Sequence, residues 1–338
     1  MDRKVQPSPE AQPGAGASDA GAKPTRHARE LPRRFTLPNG MEVAYQSRVE
    51  VEFFYKDIFE KEIYLKHRVT LSDGNCVFDV GANIGLFTLF AHQKCRGVKI
   101  YAFEPAPPLF EILRENVSRH GVNAKLFNCG LSSEAKTTAF TFYPNSSGMS
   151  SFYADRREEK EALRAIMENQ LRQGMEGMSR VMRHADELLE ERLKSETYDC
   201  PLRTVAEVIR EERVERVDLM KVDVQKSELD VVAGIGDEDW PKIKQLVVEV
   251  HDIGGRLRQM IDLLEARGYR VAVEQDDHYQ HSILFNLFAV RAAPTHAPGG
   301  TMNAAALQQV HERARKQEEA ARLRKRLLEQ RTKDNEPG

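Results

Sequence analysis

Five short apolar runs in this sequence each end in a residue that can hold a hydrogen bond or a proton: Asp79, Glu104, Asn128, Asp223, and Glu249 with His251. If the runs are parallel strands, polar residues at their C-terminal ends converge on one crevice, where doubly wound sheets bind ligands. The first run opens into Asp79-Val80-Gly81-Ala82-Asn83-Ile84-Gly85. A glycine-bearing turn lets the backbone approach a ligand, and the helix N-terminus beyond it favours a negative group such as a carboxylate. The spacing is GxxxG, not the GxGxxG of dinucleotide folds. With no pyrophosphate to cradle, a second close-approach glycine is not needed, and Asn83 stands in that region. Glu104, about twenty residues past the turn, suits the two hydroxyls of a ribose.

The other end of the crevice carries proton-transfer groups. His251 is the candidate general base, since an unperturbed imidazole titrates at about 6.5. Glu249, two residues earlier on the same strand face, can hold its tautomer. Asp223 can orient a substrate or itself be the base, and Lys221 alternates with it as an electrostatic partner. A rival use of Asp223, Glu249 and His251 is to bind a hard divalent ion that acidifies a hydroxyl, although their spacing is not diagnostic of a metal site. The preferred assignment contains no metal.

The elements that must position these groups follow from periodicity. Strands are expected over Cys76–Val80, Lys99–Phe103, Ala124–Asn128, Val217–Val222 and Gln245–Val250, with two more at Arg270–Glu274 and Ile283–Val290. Helices are expected from Ile84 to about Gln93, and over Pro107–His120, Thr204–Glu212, Ser227–Ile235 and Arg256–Arg267. This alternation predicts an α/β fold with a mostly parallel sheet covered on both faces. Ahead of it, Phe35 to Tyr45 around Asn39-Gly40 reads as a β-hairpin. A helical stretch then carries Phe53, Phe54, Ile58, Phe59 and Tyr64. Residues 155–196 break the rhythm with two apolar stripes. Leu163, Ile166, Met167 and Leu171 form one; Val181, Met182, Ala185, Leu188 and Leu189 form the other. They predict a helical-hairpin insert at the C-terminal rim of the sheet, a lid whose Met175 and Met178 tip faces the acceptor.

The domain layout is thus a disordered segment over 1–34, a catalytic domain over 35–293, and a linker with a charged helix over 294–338. The N-terminal segment is rich in Pro, Ala and Gly and cannot bury enough apolar surface to fold. The C-terminal helix has a thin apolar seam (Leu307, Val310, Ala314, Ala321, Leu328), which reads as a solvated appendage or a docking helix for a partner. Across 338 residues the formal net charge is -2, so no overall basic field recruits nucleic acid or an anionic membrane. Cys76, Cys95, Cys129 and Cys200 form no CxxC pair and are expected to be reduced. With no apolar leader or spanning run, the protein is expected to be soluble and cytoplasmic.

From about Leu37 to Val290 the chain resembles the FkbM-type methyltransferases. The resemblance rests on Val77-Phe78-Asp79-Val80-Gly81-Ala82-Asn83-Ile84-Gly85-Leu86-Phe87, Tyr101-Ala102-Phe103-Glu104-Pro105, Lys221-Val222-Asp223-Val224 and Val248-Glu249-Val250-His251-Asp252. Many members of the family read Val-Glu-Gly-Ala-Glu where this chain has Val224-Gln225-Lys226-Ser227-Glu228. That departure, with the insert and the Trp240-Pro241-Lys242-Ile243 turn, resembles the branch found with polyketide and nonribosomal peptide synthases. The resemblance implies a doubly wound, Rossmann-like class I methyltransferase sheet and S-adenosylmethionine as cofactor. It implies Asp79, Gly81, Asn83, Gly85, Glu104 and Asn128 as cofactor-binding residues, and O-methylation of a small-molecule or carrier-protein-tethered acceptor. N-methylation, a non-catalytic cofactor-binding subunit and an NAD oxidoreductase are the alternatives, the last weakened by the missing GxGxxG.

Overall fold

A computed structural model describes residues 33–291, apart from 173, 175–176 and 277–281. The expected N-terminal disorder (save at Arg33 and Arg34), the C-terminal linker and helix, and Met175 therefore lie outside the described residues. The chain opens with the expected hairpin, β1 (Arg33–Thr36) and β2 (Glu42–Tyr45), turning at Gly40 with φ +85°. Helix α1 (Arg48–Tyr55) starts at Ser47, whose side chain accepts the Glu50 N–H, and runs into a wider π-type turn over Lys56–Glu60. The alternating core follows: β3 (Cys76–Val80), α2 (Leu86–Lys94), β4 (Lys99–Phe103), α3 (Pro107–Arg119) and β5 (Ala124–Phe127).

The chain next leaves this sheet. Strands β6 (Gly130–Leu131), β7 (Lys136–Phe142) and β8 (Glu196–Arg203) make a separate three-stranded sheet in the order β6-β8-β7. Helices α4 (Arg156–Arg172), α5 (Met178–Met182) and α6 (Ala185–Arg192) sit between β7 and β8. Helix α7 (Val205–Glu211), opened by a Thr204–Glu207 capping box, returns the chain to β9 (Leu219–Val222). Then come α8 (Glu228–Ala233), β10 (Gln245–His251), α9 (Arg256–Ala266), β11 (Tyr269–Glu274) and β12 (Leu284–Arg291).

The main sheet has seven strands in the order β11-β12-β10-β9-β3-β4-β5, and β12 runs antiparallel to both its neighbours. Strand alternation divides the core between its faces. Val77, Ile100, Ala102, Leu219 and Val247 pack with α2, α3 and the N-terminal elements. Phe78, Val80, Phe103, Met220, Val222, Val248 and Val250 pack with α7, α8 and α9. Each Val, Leu, Ile, Phe or Met side chain among these, fully buried, contributes roughly 1.5–3 kcal/mol. Asn116 of α3 is wholly buried and ties the hairpin to the glycine turn. Its Oδ1 accepts the Ala44 N–H at 2.7 Å, and its Nδ2 donates to the carbonyls of Ala44 at 3.0 Å and Ile84 at 2.8 Å.

Two expectations needed correction. The insert is three helices rather than a two-helix hairpin, and it is mounted on strands β7 and β8, which the periodicity reading left out. Met178 is buried in the insert's own core with Leu163, Met167, Ala185 and Leu189, so it does not face an acceptor. Among the described residues the four cysteines are free and buried, and no helix is long and apolar enough to cross a membrane.

Candidate active site

The chain runs from β3 outward through β4 and β5, then returns to lay β9 and β10 on the other side of β3. The sheet's switch point therefore lies between the ends of β3 and β9. Gly81 sits there at φ +78°, and a Cβ on it would lie 1.9 Å from the Asp223 carbonyl oxygen. The two strand-end loops touch, and only glycine permits that approach. Gly85, at φ +91°, begins α2. Between them Asn83 takes φ +51°, with its Oδ1 accepting the Ile84 N–H at 2.8 Å and its Nδ2 donating to Ser147 Oγ at 3.1 Å.

Glu104 closes over this turn from the end of β4. Its Oε2 accepts the Asn83 N–H at 2.8 Å and its Oε1 accepts the Ala106 N–H at 2.9 Å. Burial pushes its carboxyl up to about 7, against the pull of those two N–H groups. Asn128 stands behind it, donating from Nδ2 to the Glu104 and Pro105 carbonyls at 2.9 and 3.1 Å. Asn128 thus shapes the Glu104 loop.

The Glu104 shift has a signed consequence. A folded-state value above the unfolded one means the native state holds the proton more tightly. Its stability contribution is full below pH about 4.5 and is lost as pH rises through about 7. We expect Glu104→Gln to remove this component, so that its melting temperature changes less than wild type between about pH 5 and 8. Its S-adenosylhomocysteine affinity should also fall, by about 1–3 kcal/mol. Parallel melting curves, or an unchanged calorimetric Kd, would contradict the assignment.

Register puts Asp79 beside Lys221 across β3 and β9, and alternation puts Asp223 and Glu249 on the same face. The Lys221 ammonium is buried, 3.3 Å from Asp79 Oδ1 and 3.7 Å from Asp223 Oδ2, and donates to the Gly81 carbonyl at 2.6 Å. Burial works to lower its pKa, but the two carboxylates outweigh that and hold it above its ordinary value. Asp79 also accepts from Thr88 Oγ1 at 2.7 Å. Tyr64, expected in a helical stripe, lies beyond that helix and donates its hydroxyl to Asp223 Oδ2 at 2.8 Å. Burial, then repulsion from Asp223 and Glu228, drives Glu249 well above the ordinary carboxylate range.

His251 ends β10 and is buried. Its Nδ1 lies 2.7 Å from Glu228 Oε1, at the start of α8, so its partner is Glu228 and not Glu249. Glu249 instead accepts from Gln225 Nε2 at 3.3 Å. Asp223, Glu249 and His251 therefore border one rim without forming a chelate. Among the described residues no group of three or more His, Cys, Asp or Glu is spaced to hold a metal.

A serine-rich strap, residues 143–155, crosses this rim between β7 and α4. Ser147 receives Asn83, and Ser151 Oγ donates to the Gln225 carbonyl at 2.6 Å. Lys226 then pairs with Glu158 at 3.0 Å and Glu159 at 3.3 Å, at the start of α4. Glu159 also accepts the Tyr143 hydroxyl at 2.8 Å. The strap and the insert are thereby joined to both strand-end loops.

Residues 79–271 match the model of the FkbM methyltransferase domain. Over 258 residues the chain is 40% identical to 31-O-demethyl-FK506 methyltransferase FkbM of Streptomyces tacrolimicus, covering 76% of this chain and 96% of that one. It is 37% identical over 262 residues to AMB antimetabolite synthetase AmbE of Pseudomonas aeruginosa, covering 75% of this chain but only 12% of that much longer protein. Methyltransferase 1 of Beauveria bassiana is 33% identical over 234 residues, covering 68% of this chain and 86% of that one. The crystal structure of methyltransferase FkbM from Methylobacillus flagellatus superposes with a TM-score of 0.40 at 12% identity, covering 66% of this chain and 45% of that one.

Proposed function

The chain belongs to the FkbM family of S-adenosylmethionine-dependent methyltransferases, and from that premise we propose that it methylates a hydroxyl oxygen of a polyketide- or peptide-type natural product, free or held on a carrier protein. The donor set fits the cofactor. Glu104 is buried beside the glycine turn, and each of its oxygens accepts one backbone N–H, leaving a second lone pair for a ribose hydroxyl. Asp79, Gly81, Asn83, Gly85 and Glu104 would hold the cofactor, with Asn128 supporting the Glu104 loop. Bound there, the sulfonium supplies an electrophilic methyl group.

The remaining work falls to the protein. An aliphatic hydroxyl is a poor nucleophile unless its proton leaves as it attacks. With Nδ1 turned to Glu228, His251 has Nε2 left to take that proton, and this is the observation that carries the oxygen assignment. Asp223, fixed by Tyr64 and facing Lys221, orients the hydroxyl. Glu249, whose carboxyl is raised by burial and then by Asp223 and Glu228, lies on the same face and accepts from Gln225. The name of the Streptomyces relative, which specifies an oxygen, agrees with this reading.

Extract from cells lacking the gene should contain the unmethylated acceptor. Incubated with that extract and methyl-labelled cofactor, the purified protein should place the label in a methoxy group, seen by NMR of the product. Label in an N-methyl group, or in no small molecule or carrier adduct, would overturn the assignment.

A further inference from the structure

We propose that Glu228 is the positioning residue of this active site: it holds His251 in the Nδ1–H tautomer and faces the positive charge that the ring acquires. The inference rests on His251 being the base, and it explains a placement that is otherwise unfavourable. The Glu228 side chain is 1% exposed, and a carboxylate removed from water needs a strong compensating partner. Glu228 is the first residue of α8, yet its bonds do not go to that helix. Oε1 accepts the Lys226 N–H at 2.9 Å and faces His251 Nδ1 at 2.7 Å, while Oε2 has no partner among the described residues. A helix-capping carboxylate would instead take the unpaired N–H groups of its own first turn.

Geometry selects the tautomer. An ionised carboxylate only accepts, so the proton between the two groups resides on Nδ1. The Lys226 N–H is 3.4 Å from Nδ1 but 2.9 Å from Glu228, and so belongs to the carboxylate. Nε2 is then the basic nitrogen. When it accepts the acceptor's proton, the imidazolium lies against a buried negative charge. The other charged groups around the ring are accounted for. Glu249 lies on its own strand and bonds Gln225. Lys226 turns its ammonium to Glu158 and Glu159. Arg256 of α9 donates to the Lys226 carbonyl at 2.7 Å, which fixes the loop that carries the shared N–H.

The test uses the full-length protein, the gene-deficient extract as acceptor pool, and labelled methyl transfer. Glu228→Gln should lower turnover roughly 10²- to 10⁴-fold, the range for a mis-set or unsupported base. S-adenosylhomocysteine affinity should be unchanged, and Glu228→Asp should restore part of the rate. In the His251→Asn background Glu228→Gln should cost almost nothing more, since its effect runs through the ring. Full additivity, or no recovery of rate in Glu228→Asp, would overturn the positioning role while leaving His251 as base. A silent His251→Asn would instead overturn the base assignment itself. Should Glu228→Gln not fold, nitrogen-15 NMR of wild-type His251 decides: a protonated Nδ1 is expected, and a protonated Nε2 in the neutral ring overturns the proposal.

Discussion

Replacing His251 by asparagine should lower methyl transfer roughly 10²- to 10⁴-fold and leave S-adenosylhomocysteine affinity little changed. Asparagine is the informative substitution because its amide can still donate to Glu228. Alanine would strand that carboxylate without its imidazole donor, and leaving a buried polar group unpaired costs about 1–3 kcal/mol, more when it is charged. An alanine variant would therefore confuse lost chemistry with lost fold. The cofactor residues Gly81, Asn83 and Glu104 stand on β3 and β4, whereas His251 ends β10, two strand positions from β3 across β9. Binding and proton transfer should separate cleanly. Near-wild-type turnover in the asparagine variant would move the base to Asp223, whose Tyr64 hydrogen bond makes it the next group on that face.

The parallel sheet was legible because its strands are buried on both faces and so read as apolar runs that stop abruptly at polar residues. The expected strand β3 and the observed one coincide over Cys76–Val80, and β4 over Lys99–Phe103. The second sheet escaped for the opposite reason. In β8, Glu-Thr-Tyr-Asp-Cys-Pro-Leu-Arg buries only Cys200 and Leu202, so no apolar run announces it. Strand β7 did carry a signal, since Phe140 and Phe142 alternate to one face. The site was legible at its strand ends and opaque wherever the fold supplies a partner from elsewhere. Glu249 and His251 share a face, but two residues along a strand span about 6.6 Å. That is too far for a side-chain hydrogen bond without bending. Glu228 reaches the ring because α8 starts beside it, a placement that only the β9–α8 turn creates. Tyr64 meets Asp223 across 159 positions, and nothing local in the sequence marks that contact.

Replacing Lys160 to Leu193 with a short Gly/Ser linker should leave S-adenosylhomocysteine binding in place and lower acceptor methylation about 10²-fold, the scale on which small misplacements of a bound substrate act. We infer that the insert is a lid, and the strap gives the reason. Tyr143 and Met149 pack into the insert's core with Leu163, Met167 and Leu189, so the strap's course over the rim depends on that core. The strap in turn touches the turn at Asn83 and the loop at Gln225, which stand at the ends of β3 and β9. The Lys226 ion pairs complete the connection. Lys226 takes φ +71°, a left-handed conformation that costs a non-glycine residue about 1–3 kcal/mol. The strain persists because its ammonium, with a side chain 10% exposed, meets Glu158 and the buried Glu159. Lys226→Gln cuts this latch without removing a helix, so it keeps the test decisive if the excised protein folds poorly. It should raise the KM for the acceptor pool, with cofactor affinity unchanged. Wild-type kinetics in both variants would mean that the insert only thickens the domain. Loss of S-adenosylhomocysteine binding in the latch variant would place the strap in the cofactor site and not over the acceptor.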